Sequence, residues 1–189
     1  DDYPYGGGSG MVMHCDPLYR GLEAVTVGEP VHTVMMSAQG APFDQQKARE
    51  LLARGRFVII CGHYEGIDRR FIDRCVDEEI SLGDFVLTGG EIAAMAVADA
   101  VCRMVPGVLA EDVCFTEESH YAGLLEYPQY TRPEEWRGAR VPDVLLSGHH
   151  LNIEKWRRRQ SLLLTRDRRP DMFEKLSLTR EDEKLLKED

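Results

Sequence analysis

The chain has 189 residues, 43% of them hydrophobic, which suits one domain or two small ones with packed cores. Its longest apolar run, Ile92 to Val101, is interrupted by Asp99 and falls short of the roughly 18 residues that a membrane-spanning helix needs. The net charge of −10, from 23 Lys+Arg against 33 Asp+Glu, excludes a protein that is basic all over and coats nucleic acid by bulk charge.

The elements expected from pattern alternate between strand and helix. Val31 to Ser37 is a β-rich run ended by Gln39-Gly40 and reads as a strand. Asp44 is a natural N-cap for a helix through Arg54, with Gly55 as its stop. Arg56 to Cys61 reads as a second strand, and Asp68 caps a helix from Arg69 to Cys75. Ile80 to Leu82 and Phe85 to Leu87 read as short strand pieces around Gly83. A long apolar helix from Glu91 to Met104 stops before Pro106-Gly107 and is expected to be buried. Such alternation predicts an α/β fold with a mainly parallel sheet. Pro106 to Gly123 has no clear periodicity and reads as a linker. Beyond it, Tyr121 to Pro142 is rich in Tyr, Pro and Arg, Asn152 to Leu164 reads as a basic helix, and 180–188 as a charged final helix.

The five cysteines, Cys15, Cys61, Cys75, Cys102 and Cys114, are odd in number and fit neither C-x-x-C nor a zinc spacing. They read as reduced core cysteines of a cytoplasmic protein. Charge is unevenly spread. Residues 155–170 carry seven basic side chains and one acidic, a local +6, which leaves −16 on the remainder. A basic strip of this kind can track a phosphate backbone even on an acidic body, because salt screens the distant charges.

Two glycine-bracketed turns carry the chemistry. The first is Cys61-Gly62-His63-Tyr64-Glu65-Gly66-Ile67-Asp68, and the second runs from Ser81 to Glu91 as SLGDFVLTGGE. Neither matches the dinucleotide or P-loop glycine patterns. Both closely resemble the signature segments of the TrmD family of bacterial tRNA (guanine-N1)-methyltransferases, which act at tRNA position 37 and belong to the SPOUT class. The resemblance continues through DDYPYGGGSGM at the start, Arg103 to Leu109, Tyr127 to Pro133 and Val144 to His149, in the family's order.

That resemblance implies a SPOUT-type parallel sheet threaded as a deep trefoil knot, followed by a small all-helical C-terminal domain. It places the methyltransferase domain at 1–108, with a further segment of the family upstream of Asp1, an interdomain linker at 109–122 and a helical tRNA-binding domain at 123–189. It implies an obligate homodimer with a composite active site. The methyl donor would be S-adenosylmethionine, held by backbone groups of Gly62, Leu82, Gly83, Asp84, Phe85, Val86 and Leu87, with Met35 to Gln39 as a third wall. Glycine suits that task because it lets the chain approach a ligand closely. Tyr5 to Met11 would lie near the target nucleotide as a phosphate nest. Glu65 resembles a position tied to magnesium dependence, although a lone carboxylate is no metal site by spacing.

Arg103 matches the family's catalytic arginine. The family's catalytic base is an aspartate in the third position of Thr116-Glu117-Glu118-Ser119, where this chain has Glu118. Glutamate keeps the carboxylate and lengthens its reach by one methylene, and the neighbouring Glu117 remains an alternative. The chemistry calls for both groups: guanine N1 is protonated and poorly nucleophilic until a carboxylate removes its proton, and an arginine can stabilise the charge that grows on O6. A related knotted methyltransferase with another RNA target, or a non-catalytic RNA-binding module, would share most of these features.

Overall fold

The computed structural model describes residues 1–110, 113–116 and 118–187, the side chains of 113 and 114 excepted. The chain divides into two compact units, Asp1–Ala110 and Glu111–Asp189.

The first unit opens with α1 (Cys15–Thr26), followed by β1 (His32–Pro42), α2 (Gln45–Arg54), β2 (Phe57–Cys61), α3 (Arg69–Cys75), β3 (Glu78–Ser81) and α4 (Glu91–Cys102). The three strands form a parallel sheet in the order β2-β1-β3. The expected caps are present: Asp44 accepts from the Lys47 amide at 2.8 Å and Asp68 from the Arg70 amide at 2.9 Å. Gly55 ends α2 with φ +73°, a conformation that favours glycine. Helix α1 had no counterpart in the sequence reading, because Pro17 and Gly21 mask its pattern. Proline is tolerated there because the first-turn amide would lack an intrahelical partner anyway.

Strand alternation sorts the core. Met35 packs in a buried cluster with Ile67 and Phe71, beside Leu18 and Leu22 of α1 and Ile72 of α3. Its neighbours Val34 and Met36, both buried, point to the other face of the sheet. Helices α2 and α4 pack on one another, and α4 also packs on β2, contributing the buried residues Ala48, Leu51, Ala93, Val97 and Val101.

Three expectations change. Strand β1 continues past Ser37 to Pro42, and both Met36 and Ala41 pair with Ile80, so residues 37–40 form an excursion from the ladder. Gly40 makes this feasible, since a Cβ there would stand 2.4 Å from the Ile80 amide nitrogen. Phe85 to Leu87 form no strand: Gly83 at φ +153° turns the chain out of the sheet, and the Ser81 hydroxyl donates to the Gly83 carbonyl at 3.0 Å while accepting from its amide at 3.1 Å. Helix α4 is not wholly buried. Ala93, Val97 and Val101 define its inner row, while Ile92 and Met95 are 61% and 63% exposed.

The second unit contains α5 (Val113–Thr116), a ribbon of β4 (Glu135–Trp136) and β5 (Ala139–Arg140), then α6 (Asp143–Leu146), α7 (His150–Arg168), α8 (Pro170–Phe173) and α9 (Arg180–Leu185). The antiparallel ribbon departs from the all-helical expectation. Its turn places Arg137 and Gly138 both at positive φ, the signature of a two-residue hairpin turn. Helix α7 packs on α6, α8 and α9, with Leu162 and Thr165 fully buried. The Thr165 hydroxyl accepts from the Leu125 amide at 2.9 Å and donates to the Ser161 carbonyl at 2.6 Å, tying the preceding segment to this helix.

The basic strip proves to be partly structural. Arg158 donates through Nε and Nη2 to Asp182 at 2.7 and 3.0 Å. Arg159 donates to the Leu185 carbonyl at 3.0 Å, Arg166 to Asp167 and Arg169 to Asp171. Asp182, 3% exposed, also completes a capping box with Thr179 at the start of α9. The Arg158 guanidinium, and after it the Thr179 amide and hydroxyl, outweigh the opposing effect of burial and set the Asp182 carboxyl well below the usual carboxylate range. A carboxyl depressed in the folded state stabilises above its unfolded pKa of roughly 3.9 and loses that contribution as pH falls through the folded value. Asp182→Ala is therefore expected to destabilise the second unit by about 2 kcal/mol at neutral pH, the cost of orphaning several donors. Thermal melts of the variant and the parent protein, followed by circular dichroism, should converge as the pH drops below about 3.9. Equal melting temperatures at pH 7 would remove Asp182 from the stability account.

Candidate functional site

The two glycine turns meet. The Gly90 amide donates to the Gly62 carbonyl at 3.0 Å, and a Cβ on Gly90 would lie 2.8 Å from the Cys61 Cα. His63 Nε2 and Glu91 Oε1, 2.5 Å apart, tie the first turn to the N-terminus of α4. The Glu91 carboxyl is held below its ordinary range by its own backbone amide and then by His63. Burial, with the Glu91 charge as a second cause, pushes the Cys61 thiol up, so it stays protonated and serves as a packed residue rather than a nucleophile.

Between these turns and the β1 excursion lies a cavity of about 390 Å³ at the carboxyl ends of the strands, a size within the usual range for small-molecule sites. Gly62, Leu82, Gly83, Phe85, Val86 and Leu87 line it, as do Met35 to Gln39. Asp84 is exposed and lies outside the wall. His63, Thr88, Gly89 and Gly90 also line the cavity and were missing from the expected donor set. The pair Gly89-Gly90 was the available signal, since a side chain at either would strike the opposite turn.

The N-terminal glycine loop joins the same site. An Asp2–Val12 bridge closes its base, and Gly6, Gly7, Gly8 and Gly10 all have positive φ. The Glu65 amide donates to the Met11 carbonyl at 3.0 Å, and the Glu65 side chain lies against Gly10. Glu65 lines the cavity. Among the described residues no group of three or more His, Cys, Asp or Glu could hold a metal ion, so the donor set does not fit a protein-built magnesium site.

Arg103 is half-buried at the C-cap of α4, where its amide donates to the Asp99 carbonyl at 3.0 Å. It belongs to the first unit. Glu118 is half-buried in the second unit. It precedes a tight turn in which Ser119 Oγ accepts from the Glu126 amide at 2.9 Å and the His120 amide donates to the Leu124 carbonyl at 2.8 Å. Glu117, the alternative base, lies outside the described residues.

A cavity walled by backbone turns at the carboxyl ends of a parallel sheet is the arrangement in which α/β proteins hold nucleotide-like ligands. The profile of the family described as tRNA (Guanine-1)-methyltransferase TrmD matches residues 1–175. A Clostridium acetobutylicum protein named tRNA (guanine-N(1)-)-methyltransferase is 56% identical over 186 residues, covering 98% of this chain and 76% of the relative. Proteins of the same name from Clostridium perfringens (strain 13 / Type A) and from Clostridium kluyveri (strain ATCC 8527) are 56% and 52% identical over 187 residues, 99% of this chain and 79% and 76% of the relatives. The chain belongs to the tRNA (guanine-1)-methyltransferase TrmD family.

Proposed function

We propose that the protein transfers a methyl group from S-adenosylmethionine to N1 of guanine at position 37 of tRNA. The observation that carries this reading is the near full-length likeness to relatives named tRNA (guanine-N(1)-)-methyltransferase. The cavity supports it, because its wall has the backbone groups and apolar side chains that an adenosine moiety requires.

In this reading Gly62, Leu82, Gly83, Phe85, Val86 and Leu87 hold the donor, with Asp84 completing the turn. S-adenosylmethionine, when bound, supplies an electrophilic methyl group. Glu118 takes the proton from guanine N1. With a free pKa of roughly 4.3, a glutamate cannot strip a weak acid unaided. Arg103, always charged, stabilises the negative charge that develops on O6, so proton removal and charge stabilisation proceed together. The glycine loop at Tyr5 to Met11 faces the target nucleotide.

The first unit is a knotted SPOUT domain over 1–108, joined by a linker at 109–122 to a tRNA-binding domain at 123–189. It works as a homodimer, and the apolar surface it exposes supports this: Val86 is 85% exposed, and Ile92, Met95 and Val108 are also exposed. No helix among the described residues is long and apolar enough to cross a membrane. The cytoplasm, where tRNA is matured, is the proposed location.

The test is methyl incorporation. Labelled S-adenosylmethionine is incubated with the protein and tRNA transcripts carrying guanine or adenine at position 37. Label is expected on the guanine transcript alone. Equal labelling of both would reject the assigned position, and no labelling of either would reject the activity.

A further inference from the structure

A second cavity, of about 590 Å³, is lined wholly by residues of the second unit. Its walls come from the Tyr127–Glu134 segment, from Val141 with Leu145 and Leu146 of α6, and from Ile153, Trp156 and Arg157 of α7. Three aromatic rings face it. Tyr130 and Trp156 stand 6.2 Å apart at 56° to one another, a splayed pair rather than a closed stack. The Arg157 guanidinium lies 4.7 Å over the Tyr127 ring, an arrangement that leaves the edge of the guanidinium free to donate.

Arg157 differs from its neighbours. Arg158 and Arg159 are engaged with Asp182 and the Leu185 carbonyl. Arg157 Nε is buried and has no hydrogen-bond partner. Buried donors are almost always satisfied, so an orphan in a cavity wall marks a place where an acceptor belongs. Among the described residues the one acid in the lining, Glu134, is engaged by Arg140 at 2.9 Å, and Arg132 joins Arg157 in the wall, so the cavity favours an acceptor-bearing, anionic occupant.

Aromatic faces beside a stacked arginine are the means by which proteins hold unpaired RNA bases. We propose that this cavity receives one unpaired nucleotide of the tRNA, distinct from the target guanine: its base enters the wedge between Tyr130 and Trp156, and an acceptor oxygen of the same nucleotide takes the Arg157 Nε–H. The proposal rests on the tRNA reading above. It gives the second unit a specific grip on RNA that does not depend on the paired arginines of α7.

The chain has two tryptophans, Trp136 and Trp156, so Trp136→Phe leaves Trp156 as the sole tryptophan reporter. That protein is titrated with a tRNA transcript while fluorescence and methyl transfer are followed in parallel. Saturable quenching of Trp156 is expected, with the same midpoint as tRNA binding. Tyr130→Ala changes a residue that is 48% exposed, so its folding risk is low. It is expected to weaken tRNA binding roughly 5- to 100-fold and to raise KM for tRNA, with kcat at saturating tRNA and donor affinity unchanged. Arg157→Met should do the same, and Arg157→Lys should not restore the loss, since lysine lacks the planar Nε donor. Methylation with no change in Trp156 fluorescence, or Tyr130→Ala with parental affinity, would overturn the proposal and leave the tRNA reading standing. Absence of both tRNA binding and methyl transfer in the Trp136→Phe protein and in its parent would overturn the two together.

Discussion

Replacing Glu118 or Arg103 with alanine is expected to lower turnover 100-fold or more, as loss of a catalytic base or of a charge-stabilising donor typically does. Donor binding should survive both changes, since neither residue lines the donor cavity. Glu118→Asp, which restores the family's usual residue, should keep measurable activity, and Glu117→Ala should be mild. If the pair is assembled across a dimer, mixing the two dead alanine variants regenerates one intact site per heterodimer, and part of the activity returns. Steady-state kinetics on purified heterodimer reads this directly. Silence would put both groups in one chain, and full activity of Glu118→Ala would remove it as the base.

Gly62→Val is expected to lower affinity for S-adenosylmethionine more than about tenfold, or roughly 1.4 kcal/mol, while the protein stays folded. An added Cβ at Gly62 meets only Ile67 carbons at 3.6 Å, ordinary van der Waals contact, and the remaining bulk of valine competes for a cavity whose wall is backbone. Gly90→Ala is the contrasting case. Its Cβ would press on the Cys61 Cα at 2.8 Å, so this variant should disturb the joint between the turns as well as the ligand. Calorimetric titration with the donor, alongside a thermal melt, separates the two effects. Parental affinity in Gly62→Val would take Gly62 out of the site.

Much of the first unit was legible because its signals are local. Asp44 and Asp68 cap the helices they precede, Gly55 stops one, and the β-branched runs at 31–37 and 56–61 mark parallel strands. What escaped depends on contacts distant in sequence. The β1 excursion exists because Gly40 lies against β3. Phe85 to Leu87 are the exception, turned out of the sheet by the local Ser81–Gly83 contact, which their β-rich composition masks. The meeting of Gly62 with Gly90, which builds the cavity, cannot be read from either turn alone. Charge misled for the same reason. The strip at 155–170 reads as +6 in one dimension, but Asp182 and the Leu185 carbonyl occupy Arg158 and Arg159 from the far end of the chain.

The position and the atom that receive the methyl group define this enzyme's reaction. Transcripts methylated to completion by the protein are digested with nucleases and the nucleosides sequenced by mass spectrometry. The expected product is a single N1-methylguanosine at position 37, with one methyl group per tRNA. A methyl group on another atom of that guanine, or on any other nucleotide, would contradict the account.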